Sequence, residues 1–386
     1  MDLIKVVVFA CAFVVGVDFA ILGAVKLRLA KMLDIDDAKV GSLISALMFS
    51  SMVAVMVIGP IMDNVGYMPV ASIGFALAGV SLWVLAFAPS YRAAFVACLM
   101  LGVGTMGVSV TGTPLASKLL FGGDDPSAAQ NLFNVFFGVG AFLTPLIAAQ
   151  LLDRIGYKAT VATIGTICFI PVVAALASEY PEAAARYEIQ TLLNLFTNPA
   201  VLIAGVALFC YVGLEATMGG FITTYLKDLG FTESNAGTLL SGFWISLVIG
   251  RILAAVGLSS IAADWAPPVI LALGVLAIVA IGIMILTESK VLGSVGTILT
   301  GLVFGPIFPT LVGVTFLKTN ANEQGIGGSV FGLIFAMGLL GAVVVPLLVG
   351  KFSAKLSIRK SLQITLVVAI GLVLFSAVLW LGVPAA

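Results

Sequence analysis

Histidine is missing from this chain of 386 residues. Without imidazole the commonest general base, the usual sensor of mild acid and the favoured zinc ligand are gone together. No Ser-His-Asp set can be assembled, and no Gly-x-x-x-x-Gly-Lys-Ser/Thr loop occurs to cradle a nucleotide. Charge is scarce as well, at 9% of residues, and 18 basic side chains balance 18 acidic ones. A net charge of zero offers no electrostatic footprint for nucleic acid. The four cysteines, Cys11, Cys98, Cys168 and Cys210, lie scattered in apolar stretches without metal-ligand spacing. They read as small buried hydrophobes. The absences argue against an enzyme, a resident metal, a cofactor and a nucleic-acid partner.

What remains is apolar surface, 61% of the residues. A water-soluble fold cannot hide that much, so lipid must solvate most of the exterior. About 20 apolar residues cross the hydrocarbon core. Such stretches fall at 4–30, 38–61, 68–88, 91–118, 129–152, 158–177, 199–226, 233–256, 267–287, 291–317, 324–350 and 360–383. The expected fold class is an all-α integral membrane protein with 12 transmembrane helices. The first stretch has no small-residue cleavage site and contains Asp18, so it reads as a helix rather than a removed signal peptide.

Asp63-Asn64-Val65-Gly66-Tyr67 returns as Asp153-Arg154-Ile155-Gly156-Tyr157, each time between long apolar stretches. The repeat points to a duplicated unit of three membrane-crossing helices, the construction of many secondary transporters. The least apolar segment, from Ser178 through Glu188, divides the chain into six plus six helices. We therefore expect an N-terminal bundle at 1–177, a linker at 178–198 with a short amphipathic helix, and a C-terminal bundle at 199–386. Gly102, Gly104 and Gly107, and Gly138 with Gly140, fit close helix packing.

Two carboxylates stand inside spans. Asp18 lies near the middle of the first, Glu215 at a similar depth in the seventh. A charge at the bilayer centre costs ~2.5–3.5 kcal/mol on insertion scales, so such residues face a cavity or a partner. Each is a candidate proton or cation site, and Glu215 also a solute contact; Lys26 is the alternative partner for Asp18. Gly213, Gly219 and Gly220 around Glu215 invite an interrupted helix. Asn134, an amide that both donates and accepts, suits hydroxylated solutes, whereas Gln130 and Asn131 read as caps or interhelical glue. Tyr211 and Trp244 are candidate ring-stacking surfaces, with packing the alternative assignment. Arg251 fits neutralisation of a helix C-terminus or locking of a loop.

The run Gly59-Pro60-Ile61-Met62-Asp63-Asn64-Val65-Gly66-Tyr67 resembles the loop between helices 2 and 3 of the major facilitator superfamily, although Asn64, Tyr67 and Met68 replace its usual basic residues. The resemblance implies two pseudo-symmetric six-helix bundles, alternating access, a cytoplasmic loop and a gating role for Asp63. Charge counting implies the reverse orientation. Lys26, Arg28, Lys31 and Lys39 flank the first loop, Lys351, Lys355, Arg359 and Lys360 the last, and the loop from Met62 to Tyr67 has no basic residue. Phe209 to Thr217 with Phe221 to Leu226, Ile249 to Leu253, Phe308-Pro309-Thr310, and Asn131 to Gly140 are similar to helices 7, 8, 10 and 5 of the fucose/galactose/glucose:proton symporters. That likeness implies a sugar-like solute and places Asn134 in its cavity, while the group's helix 1 aspartate has no clear equivalent, Asp18 lying about one and a half turns earlier. From the residues themselves, with H⁺ or Na⁺ as the driving ion, Asp18 and Glu215 are the ion-coupling candidates, Asn134, Tyr211, Glu215 and Trp244 the solute contacts, and Asp63 and Arg251 the gates. The likeness also implies a monomer, multi-pass in a bacterial inner membrane. The group's acidic residue in helix 4 has no counterpart, since Ser109 precedes Pro114. Two other readings stay open: an exporter of amphipathic compounds, and a non-transporting membrane sensor on the same fold.

Overall fold

A computed structural model describes residues 2–182, 193–353 and 355–383. The expected central linker, with its amphipathic helix, falls largely on 183–192 and lies outside the described residues. Among the described residues the ordered structure is helical throughout, with no strand. The helices are α1 (Leu3–Leu33), α2 (Asp37–Val65), α3 (Tyr67–Ala86), α4 (Tyr91–Leu119), α5 (Pro126–Phe169), α6 (Pro171–Ala177) and α7 (Pro199–Asp228). They continue as α8 (Glu233–Leu258), α9 (Ala266–Leu286), α10 (Lys290–Phe304), α11 (Ile307–Lys318), α12 (Gly327–Ser353), α13 (Ile358–Ser361) and α14 (Gln363–Leu381).

Eleven of the described helical segments are long and apolar enough to cross a membrane. One of them, Pro126–Ala177, has 52 residues. At about 1.5 Å per residue that is more than twice a hydrocarbon thickness of roughly 30 Å. It bends at Gly156, whose backbone sits at φ 75°, ψ 174°. The segment is therefore two crossings, spans 5 and 6, and the described residues make twelve. Gly66, between α2 and α3, has φ 89° and ψ 171°. Both repeated motifs thus turn on a glycine in a region that residues with a Cβ avoid. Spans 1 to 4 are α1 to α4, spans 7 to 9 are α7 to α9, α10 with α11 is span 10, α12 is span 11, and α13 with α14 is span 12.

Local chemistry sets the helix starts. Asp36, Asp125, Asn198, Thr232 and Ser289 each accept a backbone N–H from the first turn that follows. Such caps satisfy donors that have no partner inside the helix. The expected interruption beside Glu215 is absent: span 7 runs unbroken from Pro199 to Asp228. Its glycines keep their N–H groups, so the ladder continues through them. The discontinuity lies in span 10, between Phe304 and Ile307, where Pro306 has no N–H to donate.

By contact the chain divides into two compact units. The first contains Met1–Leu119, Phe133–Leu192 and Asn322–Gly332, the second Leu120–Leu132, Leu193–Ala321 and Leu333–Ala386. In the first unit, a Cβ on Gly16 would collide with Phe137 O and one on Gly140 with Phe13 O, so spans 1 and 5 touch backbone to backbone. In the second, a Cβ on Gly341 would collide with Phe209 O, and one on Gly213 would collide with the Val345 side chain and lie 3.0 Å from Gly341 O, so spans 7 and 11 also approach closely. Gly102 rests on Leu47 O and Ser50, and Gly301 on Phe243 O and Ser246. Glycine contacts of this kind recur between corresponding spans of the two halves. Asp18 and Glu215 each follow the matched glycine of their half, Gly16 or Gly213, by two positions.

Candidate functional site

Asp18 points into the first unit and is 0% exposed. The Thr105 hydroxyl of span 4 donates to its Oδ2 at 2.8 Å, and the Cys168 thiol of span 6 lies 3.9 Å from Oδ1. Lys26 is not its partner, and among the described residues no basic side chain pairs with it. Thr105 Oγ1 also stands 2.7 Å from Leu101 O. A hydroxyl carries one hydrogen, so it cannot donate to both at once. With that hydrogen on Leu101 O, the short contact to Asp18 requires a proton on the carboxyl group. With it turned to Asp18, the carboxylate is the acceptor. The arrangement accommodates either form of the acid by rotation of one hydroxyl.

Glu215 meets different chemistry in the second unit. Its side chain is 18% exposed, and Oε1 lies 3.8 Å from a terminal guanidinium nitrogen of Arg251, whose side chain is buried. Arg251 Nε donates to Gly305 O at 3.1 Å. Tyr211 is fully buried one helical turn before Glu215, and its hydroxyl donates to Phe304 O at 2.8 Å. Its ring packs edge-on against Phe304 and tilted against Phe308. The packing alternative thus describes Tyr211 as it stands, since no ring face is open. Trp244 is partly exposed, lies over Gly219 and meets Phe243 edge-on. Asn134 is buried in the first unit. Asn131 donates to Thr310 of span 10, an interhelical bond.

Asp63 is only 4% exposed. Its two oxygens accept the backbone N–H groups of Gly328 and Ser329, at 2.8 and 2.7 Å. Those are orphan donors of the first turn of α12, where a negative charge is favoured. The other caps named above come from the residues just before their helices; this one comes from the last turn of α2, far away in the sequence. Gly59 and Gly328 permit it by packing backbone on backbone. Lys118 lies over the Tyr67 ring, 5.6 Å from its centre. Sequence reasoning missed Thr105, Cys168 and the first turn of α12, because their partners are far away along the chain.

The Major Facilitator Superfamily model matches residues 8–338. Protein TsgA of Escherichia coli (strain SE11) is 28% identical over 182 residues, covering 46% of this chain and 46% of TsgA, and TsgA of E. coli (strain 55989 / EAEC) matches equally. The chain thus spans about half the length of the curated relatives it matches. A crystal structure of FucP in the outward conformation superposes with a TM-score of 0.79 at 17% identity, covering 97% of this chain and 98% of that one. A second structure, of the E. coli fucose:proton symporter FucP, gives 0.78 at 17% over 98% and 99%. The human organic anion transporter TETRAN gives 0.69 at 16% over 95% and 98%. At these identities the structural likeness establishes the fold.

Proposed function

The chain belongs to the Major Facilitator Superfamily, and from that premise we propose a secondary active transporter that moves a small polar organic solute, sugar-like in chemistry, with H⁺ or Na⁺. It is a multi-pass membrane transporter and not an enzyme. The observation that carries the finer reading is the matched placement of Asp18 and Glu215 in the two halves. Asp18, with a rotatable donor beside it, is the proton site. Glu215, partly open and opposed by Arg251, binds the solute or the driving cation.

Asn134 and Trp244 are the further solute contacts in this reading, and Tyr211 supports Glu215 from behind. Asp63 gates by its hold on the first turn of α12. The working bodies are the halves 1–177 and 199–386, joined by 178–198, in a monomer of a bacterial inner membrane. The Met62–Tyr67 loop faces the cytoplasm, which labelling of a reporter thiol placed there in sealed cells tests directly.

The decisive experiment is uptake into proteoliposomes under an imposed proton or Na⁺ gradient. Radiolabelled fucose, galactose and glucose are the first probes, because FucP is a fucose:proton symporter. Asp18→Asn is expected to leave exchange without net accumulation, and Glu215→Gln to remove both. Gradient-driven accumulation that survives both substitutions refutes the coupling assignment.

A further inference from the structure

Span 10 contains two prolines three residues apart, Pro306 and Pro309. In an unbroken helix Leu302 O would receive the N–H of residue 306, and Gly305 O that of residue 309. Neither proline has one. The last carbonyls of α10 are therefore left facing outward in the middle of a membrane protein, where an unsatisfied polar group is expensive.

Side chains take one of these carbonyls, Gly305 O, and its neighbour Phe304 O, whose helical donor would be the N–H of Phe308. Arg251 Nε takes Gly305 O and the Tyr211 hydroxyl takes Phe304 O. The backbone of span 8 also presses on the break. A Cβ on Gly250 would collide with Leu302 O and lie 3.2 Å from the Pro306 ring. One on Gly305 would collide with Leu247 O. Arg251 serves two masters: one face of its guanidinium group holds the break, and a terminal nitrogen faces Glu215. Span 4, the counterpart of span 10 in the other half, has one internal proline, Pro114, yet runs as one helix from Tyr91 to Leu119.

We propose that Arg251 and Tyr211 are positioning residues that hold span 10 broken at Phe304-Gly305-Pro306, and that Glu215 sets how firmly Arg251 does so. Engagement of Glu215 by solute or cation withdraws the counter-charge from Arg251, which changes its grip on Gly305 O and frees α11 to swing relative to α10. The solute-responsive part rests on the role given to Glu215 above; the hold on the break does not.

Hydrogen–deuterium exchange on the full chain in nanodiscs tests it without any ligand. The probe amides are Ile307, Phe308, Thr310 and Leu311, with Thr105 to Ser109 of span 4 as the internal reference. Arg251→Met and Tyr211→Phe are each expected to speed exchange at the probe amides about tenfold while the reference amides stay unchanged. Glu215→Gln does the same to a lesser extent, about threefold. Pro309→Ala restores an N–H for Gly305 O, so adding Arg251→Met to it changes exchange less than about twofold. Equal effects of Arg251→Met with and without Pro309→Ala overturn the capping role. Unchanged exchange in Glu215→Gln overturns the link to Glu215. If Arg251→Met does not fold, Tyr211→Phe and Glu215→Gln, which nearly conserve volume, decide the matter. Loss of uptake with normal exchange would instead count against the transport reading alone, so the two failures are distinguishable.

Discussion

Asp18 and Glu215 occupy equivalent positions in the two halves and meet opposite company. The first is sealed among neutral donors on spans 4 and 6. The second is partly open and faces a buried guanidinium group. The two halves thus hold a carboxylate at matched depth, an aspartate in one and a glutamate in the other, in unlike surroundings. A fully buried pocket of neutral partners favours the protonated form of a carboxyl group. A buried cation beside the acid ties its charge to the fold.

The largest break in this comparison should come from Glu215→Gln. It leaves Arg251 buried without its counter-charge, and about 3 kcal/mol of stability is expected to go. Thermal melting in detergent reads this, and adding Arg251→Met should return part of the loss. Thr105→Val comes next, at about 1–2 kcal/mol, because it keeps the shape and removes the donor to Asp18. Asp18→Asn retains an oxygen for Thr105, so less than about 1 kcal/mol is expected. A loss as large as that of Glu215→Gln would erase the distinction between the two acids. The smallest effect belongs to Asp153→Asn. Asp153 is 75% exposed in its 2.6 Å pair with Arg28, and such surface pairs contribute about 0.5 kcal/mol or less, which added salt should abolish.

The twelve crossings were legible because a bilayer imposes one length on every helix. The repeated loops were legible because their glycines carry a conformation that the sequence must encode. The intramembrane acids stood out against apolar surroundings. The break, however, was expected at Gly213, Gly219 and Gly220 and lies at Pro306. Glycine tolerates interruption but still donates its N–H, whereas proline cannot. The pair of prolines three apart was the available signal. Asp63 illustrates what stays hidden: its motif marks the loop, but its partners Gly328 and Ser329 are some 265 residues away. The other copy, Asp153, turns on the same kind of glycine and finds an exposed arginine instead. The motif therefore encodes the bend, and the tertiary neighbour decides the use of the acid.

The reciprocal glycines of spans 1 and 5 act like a rivet through two planks. Main chain lies on main chain at Gly16 and Gly140, so there is no side-chain cushion along which the helices could slip. Asp18, two positions past the rivet, and Asn134, less than two turns before it on span 5, must then travel together. In the transport reading proposed above, a solute held by the amide moves the acid with it.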